Sequence, residues 1–331
     1  MRPMLSSISD KQAQRELRGN GLPLNTFLFG EDVSTMWDSW DIDADLKKKL
    51  YPCTNLVDRE IVSDGCLQFR IRSTYQLSEK SVLRQDMVFY ADTPRVDFET
   101  MLAWNDKHRF LKVNFNLAIH SEYMRNEIQF GHCIRKTTRN NSQEQAMFEV
   151  VNHKYTDISE TRYGVALLND CKYGISAEGS SLQLSLHKGG TRPDPRGDAG
   201  VHTFRYALLP HMGGFSAESV VWPAYEFNNP PVVIRGKRPL MPIAQATEPN
   251  IIIETVKPCE DEQSAFILRL YECEGTYTRT QLKLNPVITA LESTNMLEEN
   301  GQPLKTNDVI EFNPFEIKTL KCTYIQKNKA L

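Results

Sequence analysis

YGVALLNDCKYG (163–174), SLQLSLHKGG (181–190) and TRPDPRGDAGVHTFRYALLPHMGG (191–214) follow one another, and their reading decides the fold. Apolar runs Val165–Leu168, Leu182–Leu186 and Phe204–Leu209 have the length of strands, and the segments between them are more polar than a turn requires. The loop 191–202 gathers Arg192, Asp194, Arg196, Asp198 and His202 among glycines and prolines. Mixed charge on a loop held by a β scaffold suits a polar ligand, because the scaffold fixes where the charges point. The plainer reading is a solvated connection, since aspartate is a favoured turn former.

Period-two alternation continues outward from this stretch. Val96, Phe98, Thr100, Leu102 and Trp104 alternate with Asp97, Glu99, Met101, Ala103 and Asn105; Leu111, Val113, Phe115 and Leu117 alternate with Lys112, Asn114 and Asn116. Phe266, Leu268 and Leu270 repeat the pattern near the end. Helical spacing is expected only at Lys11–Arg18 and Asp43–Tyr51, and the long crossovers of a parallel sheet are missing. The expected fold class is therefore all-β, built of packed antiparallel sheets. Prolines crowd FNNPPVVIRGKRPLMP (227–242), which divides the 331 residues into expected domains at 1–228 and 229–331. Strand candidates Ile251–Val256, Ala265–Glu272, Thr280–Leu284 and Glu316–Tyr324 give the second part the content of a small β-sandwich.

Composition narrows the function classes. Net charge is -3 with both signs interspersed, which gives no electrostatic footprint for nucleic acid or an anionic membrane. No apolar run reaches the length of a membrane span. Seven scattered cysteines with no CxxC pair point to reduced thiols and a cytoplasmic protein rather than a disulfide framework. HxH, HxD and HExxH spacings are absent, as are GxSxG, GxGxxG and a phosphate loop, so metal and cofactor in this chain are both expected to be none. One aromatic cluster stands out at MWDSWDI (36–42), where Trp37 and Trp40 each precede an aspartate. Indole faces stack on sugar C–H faces while carboxylates accept from hydroxyls; two tryptophans packed under a sheet edge are the other reading.

The chain as a whole resembles the C-terminal portion of family 38 glycoside hydrolases, the α-mannosidases, on its cytosolic and bacterial branch. The resemblance rests on LSSISDKQAQREL (5–17), MWDSWDID (36–43), VDFETMLAWNDKHRFLKVNF (96–115), EIQFGHCIRKTTRNN (127–141), FEVVNHKYTDISETRYGVALLNDCKYG (148–174) and LSLHKGGTRPDPRGDAGVHTFRYALLPHMG (184–213), with NIIIETVK (250–257), ILRLYECEG (267–275) and NPFEIKTLK (313–321) in the last third. It implies a large β-supersandwich similar to galactose mutarotase, followed by a small β-sandwich. It also implies that zinc and the aspartate nucleophile of a retaining mechanism belong to a preceding catalytic domain, missing here, so that the chain alone is inactive. By order along the chain, Trp37, Trp40, Asp41, Arg192, Asp194, Arg196 and Asp198 become candidates for substrate or interdomain contact. The implied partners are a mannose-containing oligosaccharide and either that catalytic domain or a second copy of the chain. Two other functions remain in view: a carbohydrate-binding or structural module, and a mutarotase-like epimerase using His202 or His211 with Glu178.

Overall fold

The computed structural model describes residues 4–236 and 241–325; of the proline-rich stretch 227–242, residues 237–240 lie outside the described residues. The alternating segments become strands, in chain order β1 (Ser9–Asp10), β2 (Arg15–Glu16), β3 (Thr26–Glu31), β4 (Leu50–Pro52), β5 (Leu56–Asp64), β6 (Gln68–Gln76), β7 (Val82–Tyr90), β8 (Val96–Trp104) and β9 (Arg109–Asn116). They continue as β10 (Tyr123–Ile128), β11 (Gly131–Lys136), β12 (Val150–Val151), β13 (Tyr155–Ser159), β14 (Tyr163–Asn169), β15 (Gly174–Glu178), β16 (Ser181–Lys188) and β17 (Gly200–Met212). Helix is confined to a single turn at Leu46–Lys48, to α1 (Ser142–Ala146), and to a wide helical turn at Ala217–Val221 that runs into α2 (Trp222–Asn228).

Two antiparallel sheets organise the first part of the chain. Nine strands run in the order β11-β10-β13-β14-β17-β8-β7-β6-β5, and six run β12-β15-β16-β9-β3-β4. The three runs that opened the sequence reading thus supply β14 and β17 to one sheet and β16 to the other. At the centre of the nine-stranded sheet, β17 pairs with β8 from Gly200↔Trp104 to Leu208↔Val96. Alternation then sets the faces: Phe98, Leu102 and Trp104 point to the other sheet, where Val113, Phe115, Leu182, Leu184 and Leu186 meet them, and all eight are at most 1% exposed. The ring of Phe98 lies 5.7 Å from that of Phe115 and 5.0 Å from that of Tyr206, so the sandwich is closed by aromatic contact as well as by aliphatic packing.

Lys11–Arg18 is a correction, because it is a hairpin rather than a helical turn. Strand β1 pairs with β2 (Ser9↔Glu16, Asp10↔Arg15), and Asp10 accepts from the backbone of Gln12 (2.9 Å) and Ala13 (3.0 Å). That side-chain turn competes with helix for the same N–H groups. Asp43–Tyr51 holds only the Leu46–Lys48 turn, after which the chain joins β4.

The chain divides into two compact units, one comprising residues 1–127, 133–215 and 223–229, the other 128–132, 216–222 and 230–331. Strands β18 (Ala244–Ala246), β19 (Ile251–Pro258), β20 (Ala265–Glu272), β21 (Thr278–Thr280), β22 (Leu282–Leu284), β23 (Ile288–Thr294), β24 (Gln302–Leu304), β25 (Ile310–Phe312) and β26 (Ile317–Tyr324) belong to the second unit. Five of them form the sheet β19-β20-β26-β23-β24, packed on Leu268, Leu270, Leu291, Phe312 and Leu320. No helix among the described residues is long and apolar enough to cross a membrane.

Candidate functional site

The loops 36–42 and 191–198, far apart in sequence, are joined by a residue that chemistry alone did not single out. Asp38 is buried, and its carboxylate accepts from the backbone of Thr191 (2.9 Å) and Arg192 (2.6 Å) and from the Thr191 hydroxyl (3.1 Å). Ser39 N–H returns a bond to the Arg192 carbonyl at 3.0 Å, and His108 Nδ1 lies 3.2 Å from the same carboxylate. Burial opposes ionisation of Asp38, but the donors from Thr191 and Arg192 outweigh it and hold the carboxyl below its usual range. Gly190 makes the approach possible, because a Cβ there would lie 2.7 Å from Ser39 Cα and 2.8 Å from the Asp38 carbonyl oxygen.

Around this knot the expected residues take distinct positions. Trp37 and Trp40 are exposed, with rings 5.6 Å apart and nearly parallel. Trp37 has φ 52°, a left-handed conformation costly for a bulky residue, and its carbonyl accepts from Trp40 (2.8 Å) and Asp41 (3.1 Å). The two indoles are therefore a surface pair, and the reading that packed them beneath a sheet edge does not hold. Asp41 is exposed and caps its own turn through Ile42 N–H, while its carbonyl accepts from Lys188 Nζ at 2.5 Å. Lys188 also reaches Asp32 at 3.2 Å, tying the first loop to β16.

Arg192, Asp194, Arg196 and Asp198 are all exposed. Asp194 closes its own turn by accepting from Arg196 N–H at 2.9 Å, and the two side chains stand 3.7 Å apart. The Asp198 carbonyl accepts from His202 Nε2 at 2.7 Å. The Asp194 carboxylate thus closes its own turn, Asp198 bonds through its backbone carbonyl, and Arg192 stands beside the bonds that join its loop to Asp38. The His187 ring packs at a tilt against those of Trp104 (centroids 4.7 Å apart) and His202 (4.4 Å). Burial, then the neighbouring His202 and Lys172, push its imidazole down to about 3, so it stays neutral.

The acid–base cast of an epimerase is not assembled. Glu178 is on β15 of the six-stranded sheet and pairs with Lys47 (3.2 Å), whereas His202 and His211 are on β17 of the nine-stranded sheet. His211 is buried against Asp157 at 2.9 Å. Among the described residues, no three His, Cys, Asp or Glu side chains converge to hold a metal ion, so no step is assigned to a metal on this chain.

Stacked antiparallel sheets with polar loops cross-tied at one end define an all-β sandwich protein in two units. Comparison with known families carries this further. The glycosyl hydrolases family 38 C-terminal domain matches residues 3–196, and the family 38 C-terminal beta sandwich domain matches residues 250–320. The chain belongs to glycoside hydrolase family 38. It is 34% identical to alpha-mannosidase 2C1 of Homo sapiens and 35% identical to alpha-mannosidase G of Dictyostelium discoideum, in each case over 96% of this chain. It spans about a third of those relatives' length, 32% and 31% respectively, in their C-terminal part. An alpha-mannosidase from Enterococcus faecalis V583 has the same fold over 95% of this chain and 40% of its own, with TM-score 0.77 at 16% identity.

Proposed function

We propose that this chain is the C-terminal β region of an α-mannosidase acting on α-linked mannose in oligosaccharides. In this reading its loops complete a sugar site and an interdomain surface, while zinc and the nucleophile belong to a catalytic domain outside these 331 residues. The observation that carries the reading is the Asp38 knot, which brings the exposed Trp37–Trp40 pair and the arginine-bearing loop into one rigid cluster. Stacked indoles offer an apolar platform to a sugar ring, and Arg192 and Arg196 offer planar donors to hydroxyls. Asp194 and Asp198 are not the retaining pair in this reading, since such a pair stands about 5–5.5 Å apart facing the scissile bond and the Asp194 carboxylate is engaged by its own turn. Placement in the cytoplasm is part of the proposal, supported by seven cysteines that are all free.

Hydrolysis of an aryl α-mannoside with zinc, by this chain alone and together with a family catalytic domain supplied in trans, tests the assignment. Turnover is expected only in the mixture, with Arg192→Ala and Arg196→Ala each lowering kcat/KM by about tenfold. Zinc-dependent turnover by the isolated chain, abolished by Asp194→Asn, would instead make the loop an active site.

A further inference from the structure

The outer face of the six-stranded sheet holds a separate concavity of about 370 Å³, flanked by the Leu46–Lys48 turn on one side and by Gln145 and Phe148 on the other. Its floor is Lys112 of β9, Ser176 of β15 and Gln183 of β16, which face away from the core because their neighbours Val113, Ile175 and Leu184 face into it. Lys112 is 3% exposed and sits 2.5 Å from Glu149 and 2.8 Å from Ser176 Oγ; the Ser185 hydroxyl donates to the other oxygen of Glu149. An ion pair so buried is costly to desolvate, and these added hydrogen bonds fix the floor in one arrangement.

Positive charge is left over at the rim. Glu149 matches Lys112 and Glu178 matches Lys47, whereas Arg139 gives its terminal N–H groups to four backbone carbonyls, those of Ala177 (2.7 Å), Thr138 (2.8 Å), Met147 (3.3 Å) and Lys136 (3.4 Å), which fix its charge in place without a carboxylate. Among the described residues, no ion pair links Arg139 or Lys48 to a carboxylate. A larger depression of about 470 Å³ on the nine-stranded sheet is closer to charge balance. There Arg70 and Arg72 are taken by Asp86 and Glu99, and Arg205 by Asp170, which leaves Arg84 beside Met101. The smaller concavity combines an apolar wall (Leu46, Leu50, Phe148), fixed hydrogen-bonding groups and two cations without carboxylate partners.

We infer that this concavity binds a hexose-sized sugar carrying one anionic group. The C–H face of the ring lies on the apolar wall, Gln183 and the floor hydroxyls meet its hydroxyl groups, and Lys48 faces the anion, with the fixed charge of Arg139 adding to the local positive field. None of the residues lining the site belongs to the tryptophan or arginine loops, 36–42 and 191–198.

Titration calorimetry on the whole chain tests this with mannose 6-phosphate, mannose and inorganic phosphate as probes. Mannose 6-phosphate is expected to bind at least about tenfold more tightly than either fragment. Lys48→Glu, at an exposed position that leaves the fold intact, and Gln183→Ala are each expected to weaken it several-fold, about the effect of losing one polar contact. Arg196→Ala, in the other cluster, is expected to leave it unchanged. Equal binding of inorganic phosphate would mean an adventitious ion only, and equal binding of mannose would remove the anionic requirement. Either result, an absence of binding at millimolar concentration, or sensitivity to Arg196→Ala alone overturns the proposal.

Discussion

The carboxylate of Asp38 satisfies two backbone N–H groups and one hydroxyl from a segment that local folding does not bring near it. Asp38→Ala leaves the Thr191 and Arg192 donors without their partner, and the expected cost is about 1–3 kcal/mol in a urea unfolding series. The ionised form is the one these donors favour, so the folded pKa is depressed relative to the unfolded chain. Its contribution is therefore complete above the ordinary aspartate range and is lost as pH falls through the depressed value. Wild type and Asp38→Ala should then converge in stability at acid pH, and a gap that stays constant down to strong acid would assign the effect to packing instead. MWDSWDI displays its tryptophans and aspartates openly, which is why Trp37, Trp40 and Asp41 were readable as surface chemistry. That Asp38 is the structural one depends on a loop far along the chain, and no local pattern encodes such a pairing. The Gly189–Gly190 doublet was the nearest available signal, because adjacent glycines mark places where backbones approach closely.

Strands were legible and helices were not, for reasons that differ from case to case. Alternation identified β8, β9 and β16, and the apolar run Phe204–Leu209 identified β17, because each buries its core-facing side completely and a strand so buried has no freedom to slip. Phe115 tests that reading, since it is fully buried between Phe98 and Tyr206. Phe115→Ala is expected to cost about 3–5 kcal/mol, read from the thermal or urea midpoint; a loss below about 1 kcal/mol would mean that the sandwich does not close at this position. α1 was missed although NSQE (141–144) carries a helix-start signature, with Asn141 accepting from Glu144 N–H at 2.9 Å. In the stretch 217–228 the buried Ala217, Val220, Val221, Ala224 and Phe227 have helical spacing. Pro223 hides it: a proline reads as a break, and here its missing N–H is accommodated where the wide turn passes into α2.

At the scale of the molecule, the match to the first of the two family 38 domains ends at residue 196, while the strand that joins the two halves of the nine-stranded sheet begins at Gly200. β17 lies between β14 and β8, and its partners on β8 precede it by about a hundred residues, a long-range pairing of the kind that slows folding. During synthesis, Phe98, Leu102 and Trp104 leave the ribosome well before Phe204, Tyr206 and Leu208 exist to complete their sheet. Until then β8 offers an unpaired edge with a largely apolar face, a form of nascent chain exposed to self-association and to chaperone capture. A chain ending at residue 196 is expected to aggregate or remain soluble only with a chaperone, whereas one ending at residue 229 yields dispersed amide resonances and a cooperative unfolding transition. A folded, monomeric 1–196 product would show that the first half of the sheet stands without its central strand. The gene's reading order thus sets a period of vulnerability that closes only when residue 212 has been made.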